Sequence, residues 1–431
     1  MEREATRELF LWKERNGRKP LIVRGARQVG KTWLVKDFGQ RAFPQSVYVN
    51  FEEDEVLKNV FLSDFDIQRI LTAISLRKRA SIDEQTLLIF DELQAAPRGV
   101  TALKYFCENA PGQPLIAAGS LLGLSLHNTD SFPVGKVDFL DLYPLNFAEY
   151  LKALGEDQML QLLEQADWDN IAYVKDRLTN HLKSYYYVGG MPEAVLSYIQ
   201  HGDVRDVRRI QENILRTYDN DFSKHAPIEQ VPRIRMVWNS IIGQLSKENR
   251  KFIYGVLREG ARAKDYELAI EWLKDAGLIH KVNRVKRGEL PLNAYEDLSA
   301  FKLFLVDIGL LGAMGKIPYE TLVEGNQLFL TFKGALTEQY VFQQLHTLVD
   351  FICYWSAENS TGELDFIVQK GSNIIPIEVK AEENLKSRSL RTFVGKHPGM
   401  HGLRFSMSGY RRQEWMTNIP LYAACFRARI Y

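Results

Sequence analysis

Over residues 1–145, short apolar runs alternate with stretches in which apolar positions fall three and four apart. The runs are Leu21–Arg24, Ser46–Phe51, Thr86–Phe90, Pro114–Gly119 and Lys136–Leu142. A brief, nearly continuous apolar run is what a strand buried on both faces requires, and the helical period between runs supplies the crossovers. The pattern predicts a parallel sheet covered by helices. From 146 to 228 the period turns helical, broken by the turn YVGGMP at 187–192, which predicts a helical lid. Residues 229–320 read as helices followed by two strand-like runs, Leu278–Val285 and Phe301–Val306. Residues 321–431 form a second α/β stretch, with a helix over about 332–348 and strands near 351–355, 363–369 and 374–379 before a basic tail. No internal repeat or low-complexity segment is visible.

Composition narrows the picture only in places. A chain of 431 residues exceeds one ordinary core, so several domains are expected. Its 55 basic and 54 acidic side chains leave a formal net charge of +1. Any nucleic-acid surface must therefore be local. Cys107, Cys353 and Cys425 are far apart and lack CxxC spacing, which argues against a zinc site or disulfide framework and for reduced thiols. The N-terminal MEREATRELF has no apolar core of a signal peptide, and no apolar run reaches the length of a membrane span. A cytoplasmic protein without a membrane partner is expected.

The clearest chemistry follows the first strand. Gly25-Ala26-Arg27-Gln28-Val29-Gly30-Lys31-Thr32 has the spacing GxxxxGK[ST] and runs into the helical pattern TWLVKDFG. Two glycines let the backbone curl until its N–H groups converge on an anion, and the helix N-terminus behind them favours negative charge. All eight residues are candidate nucleotide contacts. Lys31 is expected to reach the β- and γ-phosphates of ATP, and the Thr32 hydroxyl to bind Mg²⁺. Thr86–Phe90 then delivers Asp91 and Glu92 to a strand's C-terminal end, where α/β sheets bind ligands. Asp91 is the candidate magnesium partner and Glu92 the candidate general base for the attacking water. Ser120, after the strand PLIAAG, is the candidate γ-phosphate sensor.

RGARQVGKTWLV, IFDELQ, AAGSLL and DFLDLYPLNFAEYL together resemble the predicted bacterial and archaeal AAA-type (STAND-like) P-loop ATPases that end in a domain of unknown function. YYYVGGMPEAV and FKLFLVDIGLL resemble later signatures of that family. The resemblance implies an ATPase module, a helical lid, a winged helix and a nuclease-like end. Before LYPL such sequences often show an arginine suited to a neighbouring subunit's γ-phosphate. Here the nearest basic residue is Lys136, which lacks the planar fork.

Helix, strand, wing, strand is the order of residues 262–306. Residues 247–264 carry six basic side chains, and Lys281, Arg284, Lys286 and Arg287 follow, a stripe able to meet phosphates. Asp265, Glu267, Glu271 and Asp275 on the candidate recognition helix would repel DNA. Packing between domains is the other role open to this segment.

Near the end, Asp365 is followed by Glu378 and Lys380 in ExK spacing. Residues i and i+2 of a strand share a face, so Glu378 and Lys380 point together. Asp365 and Glu378 are candidate Mg²⁺ ligands, Glu338 on the preceding helix a further one, and Lys380 a transition-state cation. The arrangement resembles the PD-(D/E)xK nuclease pattern, in which such folds also serve as non-cleaving binding modules.

The expected architecture is α/β: a P-loop NTPase parallel sheet (1–145), a helical lid (146–228), a winged helix-turn-helix (229–320) and a nuclease-like α/β domain (321–431). The expected activity is Mg²⁺-dependent ATP hydrolysis coupled to action on DNA. A homo-oligomer is a candidate assembly. A nucleotide-dependent switch that binds partner proteins and does not cleave is the rival.

Overall fold

Each of the five N-terminal apolar runs forms a strand: β1 (Leu21–Arg24), β2 (Gln45–Asn50), β3 (Thr86–Asp91), β4 (Leu115–Ala118) and β5 (Asp138–Asp141). The structure is a computed structural model that describes residues 1–119, 133–247, 250–323, 330–357, 362–382 and 386–426. The strands form one sheet in the order β2-β3-β4-β1-β5, and every neighbouring pair is parallel. Residues 136–142 read as a strand in sequence, but only Asp138–Asp141 pairs, because its one neighbour β1 is four residues long.

The sheet's two faces are covered by different helices. On one, Leu88 and Phe90 of β3 join a core with Ile70 and Ile74 of α4 (Ile67–Lys78) and Leu103 and Phe106 of α5 (Gly99–Asn109). On the other, α2 (Lys31–Ala42) comes so close that a Cβ on Gly39 would lie 3.2 Å from the Ile89 side chain. That double cover buries all six residues of β3, as a parallel strand demands. Preceding the sheet is α1 (Ala5–Glu14), and a short α3 (Glu55–Lys58) follows β2.

The chain divides into two compact units, Met1–Tyr143 with Asp275–Leu278, and Pro144–Lys274 with Ile279–Tyr431. The second begins with helices: α6 (Phe147–Ala153), α7 (Asp157–Gln165), α8 (Trp168–Val188), α9 (Pro192–His201), α10 (Val204–His225), α11 (Val231–Leu245) and α12 (Ala263–Asp275). The YVGGMP turn between α8 and α9 is held by Asp307, which caps α13 (Ile308–Met314). The buried Asp307 carboxylate accepts from Gly190 N at 2.6 Å, and a Cβ on Gly189 would lie 2.2 Å from its other oxygen. Two signatures far apart in sequence thus meet, and only glycine leaves room for the carboxylate.

Beyond α13 come α14 (Tyr319–Val323) and α15 (Leu330–Leu345), then β8 (Phe351–Ser356), β9 (Glu363–Lys370), β10 (Asn373–Val379), α16 (Arg388–Lys396), β11 (Gly402–Ser406), β12 (Arg411–Arg412) and β13 (Met416–Pro420). These strands join β6 (Ile279–Val285) and β7 (Glu296–Leu305) in one sheet, ordered β12-β13-β11-β10-β9-β8-β6-β7. Arg284 and Val285 pair in parallel with Tyr354 and Trp355. Strands from both sides of the expected 320/321 boundary therefore share one sheet. The free edge of β6 is satisfied by a strand some seventy residues later, a pairing that periodicity does not encode. No described helix is long and apolar enough to cross a membrane.

Candidate nucleotide site and the C-terminal acidic cluster

The loop after β1 is shaped by its two glycines. Gly25 has φ 145°, and a Cβ there would sit 2.1 Å from the Leu142 carbonyl oxygen. Gly30 has φ 94° and precedes Lys31, the first residue of α2. Gln28 between them is also left-handed, with φ 69°. Ala26 and Val29 are buried beneath the loop. From behind, the buried Arg3 guanidinium donates to the Val29 carbonyl at 3.0 Å and so braces the curl. Nothing in the sequence pattern singled out Arg3, because its role depends on a carbonyl 26 residues away.

Lys31 is buried, and its ammonium donates to the Gly25 and Ala26 carbonyls at 2.9 and 2.8 Å. Burial pulls its pKa down to about 8 against the opposing pull of Glu92 and Asp91, while neighbouring Arg27 adds to the lowering. A desolvated ammonium held by neutral carbonyls is one that an anion at the loop would stabilise.

The acidic pair meets this loop. Thr32 Oγ1 donates to Asp91 Oδ2 at 2.7 Å, so the start of α2 and the end of β3 are joined at one carboxylate. Tyr48 on β2 donates its hydroxyl to the same oxygen at 2.8 Å, and the Glu92 amide donates to Asp91 Oδ1 at 3.1 Å. The Lys36 ammonium sits 3.5 Å above the Tyr48 ring. Burial, and then the bond to Asp91, raises the Tyr48 pKa, so the phenol stays protonated and a donor. Sequence reading missed Tyr48. Its only signal was an aromatic hydroxyl near the end of the strand beside the acidic one.

Glu92 is left-handed, with φ 49°, a conformation that costs a non-glycine residue about 1 kcal/mol or more. The twist turns it out of the strand, and its side chain accepts from the Gln94 amide. Ser120 lies outside the described residues. Lys136 pairs with Glu108 at 3.0 Å.

The second candidate site divides differently. On β10, Glu378 Oε1 accepts from Lys380 Nζ at 2.9 Å, on the same strand face, while the buried Glu378 Oε2 has no hydrogen-bond partner among the described residues. Asp365 on β9 accepts from the Val379 amide at 2.7 Å. Arg404, paired in register with Glu378, is buried and donates to Asn418 and Ser387.

Glu338, expected as a further metal ligand, is fully buried with Lys302 on one oxygen, at 2.9 Å, and Arg250 on the other. Lys302, from β7, also reaches Glu363 at 2.8 Å. Burial lowers the Lys302 pKa, and Glu363 and Asp365 oppose that. Among the described residues, no three His, Cys, Asp or Glu side chains gather as a metal group. Lys302 comes from the β6–β7 hairpin, so its place beside Glu338 is invisible in the local ExK spacing.

That hairpin uses half its basic stripe internally. Arg284 pairs with Asp297 at 2.6 Å, and Lys281 lies 3.9 Å from Glu271 and 4.8 Å from the Phe301 ring centre. Lys286 and Arg287 are exposed.

Three stretches match known families. Residues 17–151 match an AAA domain, residues 179–321 a domain of unknown function (DUF8612), and residues 333–423 another domain of unknown function (DUF4143). No curated protein matches the chain. Among solved structures, the Aeropyrum pernix ORC1 protein in complex with DNA is 13% identical, with a TM-score of 0.29 over 73% of this chain and 92% of that one. C. elegans PCH-2 is 16% identical, with a TM-score of 0.22 over 37% and 45%. With the loop spacing, the five-stranded parallel sheet and the family match in agreement, residues 17–151 carry an AAA-type P-loop domain.

Proposed function

We propose that this chain is a Mg²⁺-dependent ATPase whose nucleotide state is coupled to the wing hairpin and nuclease-like domain, acting on DNA. The observation that carries the reading is the 2.7 Å bond from Thr32 to Asp91. It joins the phosphate loop to the acidic strand end, and it leaves the lone pairs of the Thr32 oxygen available to a cation. Thr32 and Asp91 are the residues that would hold magnesium. Bound there, the ion would neutralise charge on the phosphates. Lys31 would exchange its two carbonyls for phosphate oxygens, a stronger, charge-assisted partner. Glu92, freed from Gln94, would take a proton from the attacking water.

Glu92→Gln tests this directly. It should still bind ATP but release phosphate roughly 10²–10⁴-fold more slowly. Turnover at the wild-type rate would remove Glu92 from the role of base. The DNA part of the reading requires that DNA accelerates ATP turnover.

The rival, a nucleotide-dependent switch with a non-cleaving C-terminal domain, draws on the cations at Glu338. Arg250 and Lys302 occupy both oxygens that a metal would need. The unpartnered Glu378 oxygen beside Lys380 favours the cleaving reading. Nicking of supercoiled DNA by wild type, lost in Lys380→Ala, would decide for cleavage.

A further inference from the structure

Cations on the second unit commonly face a carboxylate: Arg177 on Glu156, Arg235 on Asp219, Lys333 on Glu382. A surface around α16 is among those where they do not. α16 turns Leu390, Phe393 and Val394 inward and exposes Arg388, Arg391 and Lys396, with no acidic residue along its nine positions. Beside it lies the turn after β6, which exposes Lys286 and Arg287. The two segments touch: a Cβ on Gly288 would lie 2.6 Å from the Phe393 ring. Among the described residues, none of these five cations makes an ion pair. The nearest acid on the turn, Glu289, accepts from the Tyr295 hydroxyl at 3.1 Å, and the charge of Arg287 is felt at that same tyrosine.

We propose that this five-cation surface, formed jointly by α16 and the wing turn, docks the phosphate backbone of duplex DNA. The proposal rests on the DNA reading above and gives it a location. In a chain with net charge +1, unmatched like charges held together repel one another, and a polyanion relieves that repulsion. A nine-residue helix is roughly 13 Å long, a span in which duplex DNA carries about eight phosphates. The only aromatic residue of α16, Phe393, is buried, so the helix itself offers no platform on which single-stranded bases could stack. Of the basic stripe at 281–287, this surface uses Lys286 and Arg287, while Lys281 and Arg284 are engaged within the fold.

The test is binding of a labelled DNA duplex to the full chain by fluorescence anisotropy across a salt series. Wild type should show a log–log salt slope of about −4.5 if all five cations meet phosphates. The triple variant Arg388→Gln, Arg391→Gln, Lys396→Gln should lose about 3 from that slope. Adding Lys286→Gln and Arg287→Gln should remove most of the rest. All five side chains are exposed, so melting curves should not shift, and ATP turnover without DNA should match wild type. Wild-type binding with an unchanged slope in the triple variant would overturn this surface and leave the DNA reading standing. No binding of DNA by wild type at low salt would overturn both. Tighter binding of an RNA duplex, or of an acidic protein and no nucleic acid, would overturn the choice of DNA.

Discussion

Asp91 and Glu338 are both deeply buried carboxylates, yet the molecule treats them in opposite ways. Asp91 is held by two hydroxyls and a backbone amide. Glu338 is held by two cations, Lys302 and Arg250. Hydroxyl and amide donors orient a carboxylate and leave its charge for a ligand to neutralise. Ammonium and guanidinium donors neutralise it from within. At Glu338 the fold places two cations directly on the carboxylate; on Asp91 these three bonds come from neutral donors. Two buried carboxylates thus differ in chemistry, and the difference lies in their partners.

The largest effect should come from undoing the internal balance. Lys302→Met removes the cation common to Glu338 and Glu363 and leaves only Arg250 on the buried Glu338, where breaking a buried ion pair costs up to about 3–5 kcal/mol. The melting temperature of the second unit should fall steeply, and Mg²⁺ or Mn²⁺ should recover part of the loss. A variant as stable as wild type would dissolve the contrast with Asp91.

A smaller effect of opposite sign is expected at the phosphate loop. The folded pKa of Lys31, about 8, lies below its ordinary value of 10.5. Between those values the unfolded chain holds the proton and the folded one does not, so nucleotide-free stability rises as pH increases through that window. Below about pH 8 both states are charged and the folded state bears the full cost. Lys31→Met should abolish the rise and stabilise the nucleotide-free protein at pH 7 by at most roughly 3 kcal/mol, while ATP binding is lost. Denaturant melts at pH 7, 8.5 and 10 check the sign; a variant less stable than wild type at pH 7 would break the account.

The smallest effect sharpens the comparison at a single oxygen. Tyr48→Phe removes one of the two hydroxyls on Asp91 Oδ2, and a hydrogen bond to a charged group is worth about 1.5–3 kcal/mol. The Mg²⁺ concentration for half-maximal ATP turnover should rise about tenfold, with metal-free nucleotide affinity unchanged. An unaltered magnesium profile would leave Thr32 as the only hydroxyl that matters.

The sequence alone determined the phosphate loop, the acidic strand end and the parallel sheet that carries them. Their chemistry is written in contiguous residues, and the backbone geometry of a glycine turn or a buried strand follows from local composition. Only the tertiary structure decided that Tyr48 and Arg3 belong to that site, that the β6–β7 hairpin is part of the C-terminal sheet, and that Glu338 is closed by Lys302. These depend on strand edges and charges that meet across tens of residues of chain. Periodicity records which side of an element faces inward; it does not record what waits there, because burial selects for a matched partner from anywhere in the fold.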